Sequence, residues 1–148
     1  LGLFNGMNIS ASGLTANRLR MDVVSSNIAN ANTTRAQLVN GEWVPYRRKS
    51  VELTQSAFGQ QLQTAMNRGD GKVSGVTVSR IEEDRTPFQL SFDPTNPEAD
   101  ENGYVTLPNV DPIKEMVDLI SATRSYEANV TALNASKNMF MKALEIGK

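Results

Sequence analysis

The stretch SSNIANANTT, Ser25 to Thr34, decides how the chain is read. Three asparagines and several small hydroxyl residues follow a long run with helical spacing. Asparagine tolerates left-handed backbone, and its amide bonds neighbouring backbone groups. Such a cluster ends a helix, and Asn30 and Asn32 are expected to do so here. Working back toward the N-terminus, Met7, Leu14, Met21 and Ile28 recur every seven residues. That period marks a helix with one apolar stripe, near the 3.5-residue repeat of coiled coils. Gly13 weakens the helix by about 1 kcal/mol relative to Ala.

Working forward, the pattern changes to that of short strands. GEWVPYRRKSVEL, Gly41 to Leu53, is β-like, with Pro45 at an edge or bend. Asn40-Gly41 is a favoured hairpin pair. Alternation continues in GVTVSRI (Gly75 to Ile81), PFQLSF (Pro87 to Phe92) and YVTL (Tyr104 to Leu107). Turn-rich segments separate these runs, so a small antiparallel β unit is expected. Leu53 to Met66 reads as a short helix or a loop.

A second long helix opens at DPIKEM. Asp111 suits the N-cap, Pro112 the first helical position, and Glu115 the first turn. No further Gly or Pro interrupts the chain until Gly147. Leu119, Tyr126, Leu133 and Phe140 recur at sevens, with Met116, Val130 and Leu144 at alternate positions. At about 1.5 Å per residue the helix is a rod of roughly 50 Å, longer than a small β unit can cover.

The predicted class is therefore α+β: long N- and C-terminal helices forming a coiled-coil-like bundle, with a small central antiparallel β unit. The expected domains are an N-terminal assembly helix with its Asn-rich end over 1–32, a β-rich unit over 33–110, and a C-terminal assembly helix over 111–148. Two readings of the stripes stay open. The helices form a self-contained hairpin, or the stripes are docking surfaces for other chains. Val117, Ile120 and Met141 lie beside the main seam, and Ala128, Ala132, Ala135 and Ala143 widen it. A helix with more apolar surface than its own chain covers meets another chain. On this second reading the isolated end helices lack partners and fold on assembly.

Composition narrows the function. The 148 residues carry 15 basic and 16 acidic side chains, with no Cys and no His. Disulfides, thiolate nucleophiles, imidazole bases and most zinc sites are thereby excluded. No paired-carboxylate cleft is suggested, so no enzyme, cofactor or metal is expected. The near-neutral balance gives no pull toward nucleic acid, and Arg47, Arg48 and Lys49 read as a solvated strand face or a patch for an acidic neighbour. Glu98, Asp100, Asn102 and Gly103 resemble half an EF-hand loop, but the position of the bidentate last ligand holds Asn109, so an acidic turn is expected. Nothing approaches the ~20 apolar residues of a membrane span. No cleaved leader is expected.

The ordered motifs carry a resemblance. The helix ending in Asn27-Ile28-Ala29-Asn30-Ala31-Asn32-Thr33 resembles the signature of the bacterial flagellar rod and hook axial family. PYRRKSVEL, ENGYVTLPNVD, EMVDLI and SYEANVTALNASK are similar to its proximal-rod branch. Residues 55 to 74 resemble nothing in it. The resemblance implies a structural subunit of the flagellar rod, the drive shaft of the basal body in the cell envelope. It implies assembly with copies of itself and other rod proteins, after export through the flagellar type III apparatus. The implied assembly interface is Met7, Leu14, Met21, Ile28, Met116, Leu119, Tyr126, Val130, Leu133, Phe140 and Leu144. Asn27, Asn30, Asn32 and Thr33 are the implied register residues between neighbouring subunits. The alternative is a stand-alone coiled-coil adaptor for a partner helix.

Overall fold

A computed structural model describes residues 2–55 and 75–146. Two long helices bracket six short strands: α1 (Gly2–Ala29), β1 (Gln37–Val39), β2 (Glu42–Val44), β3 (Lys49–Gln55), β4 (Val76–Glu83), β5 (Gln89–Phe92), β6 (Tyr104–Leu107) and α2 (Pro112–Ile146). The class is α+β, as the patterns predict. Among the described residues the strands form three two-stranded sheets, β1 with β2, β3 with β4 and β5 with β6, in place of one continuous sheet. The part of the 53–66 segment beyond Gln55 lies outside the described residues.

The chain gathers into two compact units. One contains Leu1–Met21, Val51–Arg80 and Ile120–Lys148; the other contains Asp22–Ser50 and Ile81–Leu119. Both helices contribute to each.

In the first unit α1 and α2 run antiparallel. Phe4 meets Phe140 edge to face with ring centroids 5.1 Å apart. Further along α1, Gly6 faces Ser136 and Gly13 faces Asn129. Beyond them Thr123 Oγ1 lies 3.5 Å from Met21 Sδ. As residue numbers rise on α1, those of the partners fall step for step. Leu14, Leu133, Tyr126 and Met7 are half-buried along this path. The end helices therefore meet within the first unit. The reason is a second stripe of small side chains, Gly6 and Gly13 among them, which lets the backbones approach. The first unit is also tied to its sheet: Ser12 Oγ accepts from Val76 N at 3.1 Å and donates to Ile9 O at 2.7 Å.

In the second unit α1 ends without left-handed asparagine. Among described non-glycine residues only Asn40 has a positive φ. Asn30 instead stays close to the helix and turns its side chain back: Nδ2 donates to Ser26 O at 2.9 Å, the carbonyl that its own backbone N–H also uses. Its Oδ1 accepts from Thr33 Oγ1 at 3.2 Å. The Thr33 carbonyl then accepts from Tyr46 N at 2.9 Å, which ties the helix end to the segment between β2 and β3. Asn40 (φ 53°) and Gly41 (φ 91°) make the predicted tight turn between β1 and β2, where Val39 pairs with Glu42. Both φ values are positive, as a two-residue primed turn requires. The buried apolar set of this unit is small: Val23, Val24, Tyr46, Val105 and Val110.

Asp111 caps α2 as its position predicts. Its Oδ1 accepts from Ile113 N at 3.0 Å and Lys114 N at 3.3 Å. Asp111→Ala should lower stability by about 1 kcal/mol, read as a shifted urea midpoint with an unchanged slope.

A buried polar cluster as the candidate functional site

Asn27 sits in the last turn of α1 and is fully buried. A primary amide offers two donors and two acceptor sites. All four are used. Nδ2 donates to Lys49 O at 2.8 Å and to Glu115 Oε2 at 2.8 Å. Oδ1 accepts from Lys49 N at 2.9 Å and from Tyr46 Oη at 3.0 Å. The side chain thus pairs with both backbone groups of Lys49, as a neighbouring strand would. Both of its donors and both of its acceptor sites are occupied by groups of this chain.

Glu115, in the first turn of α2, is also 0% exposed. Its second oxygen, Oε1, accepts from Arg48 Nε at 2.6 Å. Arg48 reaches inward because it lies two residues after the buried Tyr46, on the same side of an extended segment. Its guanidinium also faces Asp84 at 3.5 Å and Asp118 at 3.6 Å. Burial works against the Arg48 charge. The bond to Glu115, with the charges of Glu115, Asp84 and Asp118, outweighs it and raises the pKa above the ordinary arginine value.

Asn109, two residues after β6, closes the far side. Its Oδ1 accepts from Arg48 N at 2.8 Å, and its Nδ2 donates to Thr86 Oγ1 at 2.9 Å and to Asp84 O at 3.1 Å. Arg47 lies over the Phe88 ring at 4.4 Å and donates to Asp84 O at 3.0 Å. The basic run 47–49 is therefore not the solvated face expected of it: Arg48 is drawn in by three carboxylates and Arg47 by a ring and a carbonyl. Every buried side-chain N or O among the described residues has a partner. Donors and acceptors here satisfy one another, so the arrangement does the work of a clasp. It gathers five separate stretches of the second unit.

The Asp84 carboxyl is held below the usual carboxylate range. The backbone N–H of Thr86 contributes most, at 2.9 Å; burial opposes it, and the Thr86 hydroxyl and Arg48 add to the lowering. An acid held down in the fold binds a proton more readily when unfolded. Its contribution is present above about pH 4, the unfolded carboxylate value, and is lost as pH falls through the lower folded value. Wild type should therefore lose stability below pH 4 faster than Asp84→Asn, as measured by urea midpoints across pH 2.5 to 6 (a range chosen to bracket about pH 4).

The acidic turn is confirmed as a turn. Asp100 Oδ1 accepts from Asn102 N at 2.9 Å and Tyr104 N at 2.8 Å, and Glu98 pairs with Arg35 at 2.8 Å. Of the predicted interface residues, Met7, Leu14, Met21, Ile28, Leu119, Tyr126, Val130, Leu133 and Phe140 are half-buried, while Met116 and Leu144 are exposed. Asn30 and Thr33 are half-buried and Asn32 is exposed. Sequence reasoning placed Glu115 only as a helix opener and missed Arg48, Tyr46 and Asn109 as its company. The two-residue step from Tyr46 to Arg48 was the available signal.

Comparison with known proteins places this geometry. Residues 7–37 match the family model described as flagella basal body rod protein, and residues 101–146 match that of the flagellar basal body rod FlgEFG protein C-terminal region. The chain is 61% identical to the flagellar basal-body rod protein FlgC of Bacillus subtilis, over 98% of each chain. The chain belongs to the flagellar basal-body rod protein family. Other rod proteins of this family agree along the whole length: FlgC of Borreliella burgdorferi is 43% identical over 99% of this chain and 98% of its own, and FlgC of Salmonella typhimurium 38% over all of both. The two matched segments of the rod family hold Asn27 and Glu115, the two ends of the clasp, one in each.

Proposed function

We propose that the chain is a non-enzymatic structural subunit of the proximal rod of the bacterial flagellar basal body. It polymerises through its terminal helices and transmits motor torque to the hook and filament. Its neighbours are copies of itself and other rod proteins, and it reaches the rod through the flagellar type III export apparatus. The observation that carries this reading is the outer face of α2. Ile113, Val117, Ile120, Met139 and Ile146 are exposed, Ile113 at 71% and Ile146 at 85%. Ala128, Ala132, Ala135 and Ala143 are exposed between them. Spacings of three and four residues place these side chains on one side of α2, with exposed Arg124 interrupting the run between Ile120 and Ala128. Covering an aliphatic side chain stabilises by about 1.5–3 kcal/mol, so a stripe of this length supports a stable contact with a neighbouring chain.

The seam residues act in this scheme at two levels. Met7, Leu14, Met21, Tyr126, Val130, Leu133 and Phe140 hold the helices together in the first unit, and Ile28 and Leu119 serve the second. Met116, Leu144 and the outer stripe meet adjacent subunits. Contacts of this kind are head-to-tail, so they extend a shaft and do not close a dimer. Stiffness against twist follows from many interlocked helices.

The test is replacement of the rod gene of a flagellated host by this one, followed by isolation of basal bodies. The chain should copurify with the rod and restore swimming. Recovery of the protein only outside the basal body, with cells that do not swim, would refute the proposal.

A further inference from the structure

The apolar stripes of α1 and α2 have a weakness as a specification. Met7, Leu14, Met21 and Ile28 are equivalent under a shift of seven residues, and so are Leu119, Tyr126, Leu133 and Phe140. Sliding one helix along the other by one heptad puts apolar side chains opposite apolar side chains again. Burial alone does not select the native alignment.

A second stripe does differ from heptad to heptad. On α1 it is Gly6, Gly13, Arg20 and Asn27; on α2 it is Ser136, Asn129, Ala122 and Glu115. In the first unit the members meet by size. A Cβ placed on Gly6 would lie 3.9 Å from Ser136 Oγ, and one on Gly13 would lie 2.9 Å from Asn129 Oδ1. Asn129 is held there by its own bond from Nδ2 to Ser125 O at 2.8 Å. Ala122 is wholly buried. In the second unit the members meet by hydrogen bonding: Asn27 Nδ2 to Glu115 Oε2 at 2.8 Å, with Arg48 on the other oxygen.

We propose that this second stripe is the register code of the helix pair, with Gly13–Asn129 as its steric element and Asn27–Glu115–Arg48 as its polar element. A shift of seven residues that brings Met21 opposite Val130 breaks both. Asn129 would face Arg20 in place of Gly13. Glu115 and Asn27 would part, with Ala122 opposite Asn27 and Glu115 beyond the end of α1, and neither would meet a group that completes its bonds. The polar element discriminates because an unpartnered buried charge is strongly disfavoured. Asn27, Arg48 and Glu115 are positioning residues: they choose among alignments that the apolar seam leaves nearly equal. The inference stands on intrachain geometry and is independent of the rod reading.

The absence of native cysteine makes a clean test possible. In the full chain, Met21→Cys with Thr123→Cys reports the native alignment. Met21→Cys with Val130→Cys reports a shift of seven. With the clasp intact, only the first pair should oxidise to a disulfide under mild oxidant. In a background of Asn27→Leu, Arg48→Met and Glu115→Leu, disulfide yield from the shifted pair should rise about tenfold while helicity is retained. A helical triple variant that oxidises only in the native alignment would overturn the polar element. Should that variant lose its helicity, the steric element decides. Gly13→Ala should raise the yield of the shifted pair, and Gly13→Ala with Asn129→Ala should bring it back down. Native-only oxidation in both of these would overturn the proposal.

Discussion

Glu115→Ala is expected to lower the stability of the chain by about 3–5 kcal/mol, the usual cost of breaking a buried ion pair from one side. Its carboxylate is the acceptor for Arg48 Nε and for Asn27 Nδ2. Without it the guanidinium, 18% exposed, keeps only Asp84 and Asp118, at 3.5 and 3.6 Å. Asn27 keeps its bonds to Lys49 and Tyr46 and loses one. Small domains hold only about 5–15 kcal/mol in total, so the loss takes much of the margin. Glu115→Gln keeps one acceptor oxygen, turns the other position into an NH2 donor facing a donor and removes the charge, and it should fall between wild type and the alanine variant. Urea unfolding followed by circular dichroism, with Trp43 emission as a probe of the second unit, gives the comparison. An alanine variant within about 0.5 kcal/mol of wild type, the range of ordinary surface changes, would contradict the clasp.

Val117→Asp with Ile120→Asp should have the opposite profile. Both side chains are 61% exposed on the outer face of α2. In the isolated chain the new carboxylates stay in water, so stability should change by no more than about 0.5 kcal/mol per site. In an assembled shaft they would be pressed, unpaired, into an apolar contact, where each costs several kcal/mol or forces protonation. The variant should fold, be exported and fail to enter the rod, leaving cells without flagella. Leu133→Asp is the informative contrast. Leu133 is half-buried along the α1–α2 seam, so its substitution should impair folding and assembly together. Flagellated cells carrying the Val117→Asp/Ile120→Asp chain would remove the outer face of α2 from the account.

What was legible in the sequence was local. The sevens in both helices, the Asp111-Pro112 opening, the Asn40-Gly41 turn and the alternation over Val76, Val78 and Phe88 to Phe92 are short-range patterns, each imposed by the geometry of a single element. Three features were hidden because their partners are distant in the chain. Asn27 and Glu115 are 88 positions apart, and nothing near either names the other. Arg48 sits in a basic run, and its inward turn depends on three carboxylates from two later segments, Asp84 and the start of α2. The division of the strands into three separate pairs also escaped the reading, because alternation marks a strand and says nothing of its neighbour. Asn30 ends its helix by bonding Ser26 O, not by adopting a left-handed backbone, and the residue type alone fits either device equally well.

The central claim is that one chain completes its own helix pair through Asn27 and Glu115 and offers the outer face of α2 to other chains. An electron cryomicroscopy reconstruction of a rod assembled from this protein, with the chain traced, tests it most directly. Asn27, Arg48 and Glu115 should bond within one subunit, and Val117, Ile120 and Met139 should be covered by neighbours. A rod in which Asn27 bonds across subunits, or in which that face of α2 lies open to water, would contradict it.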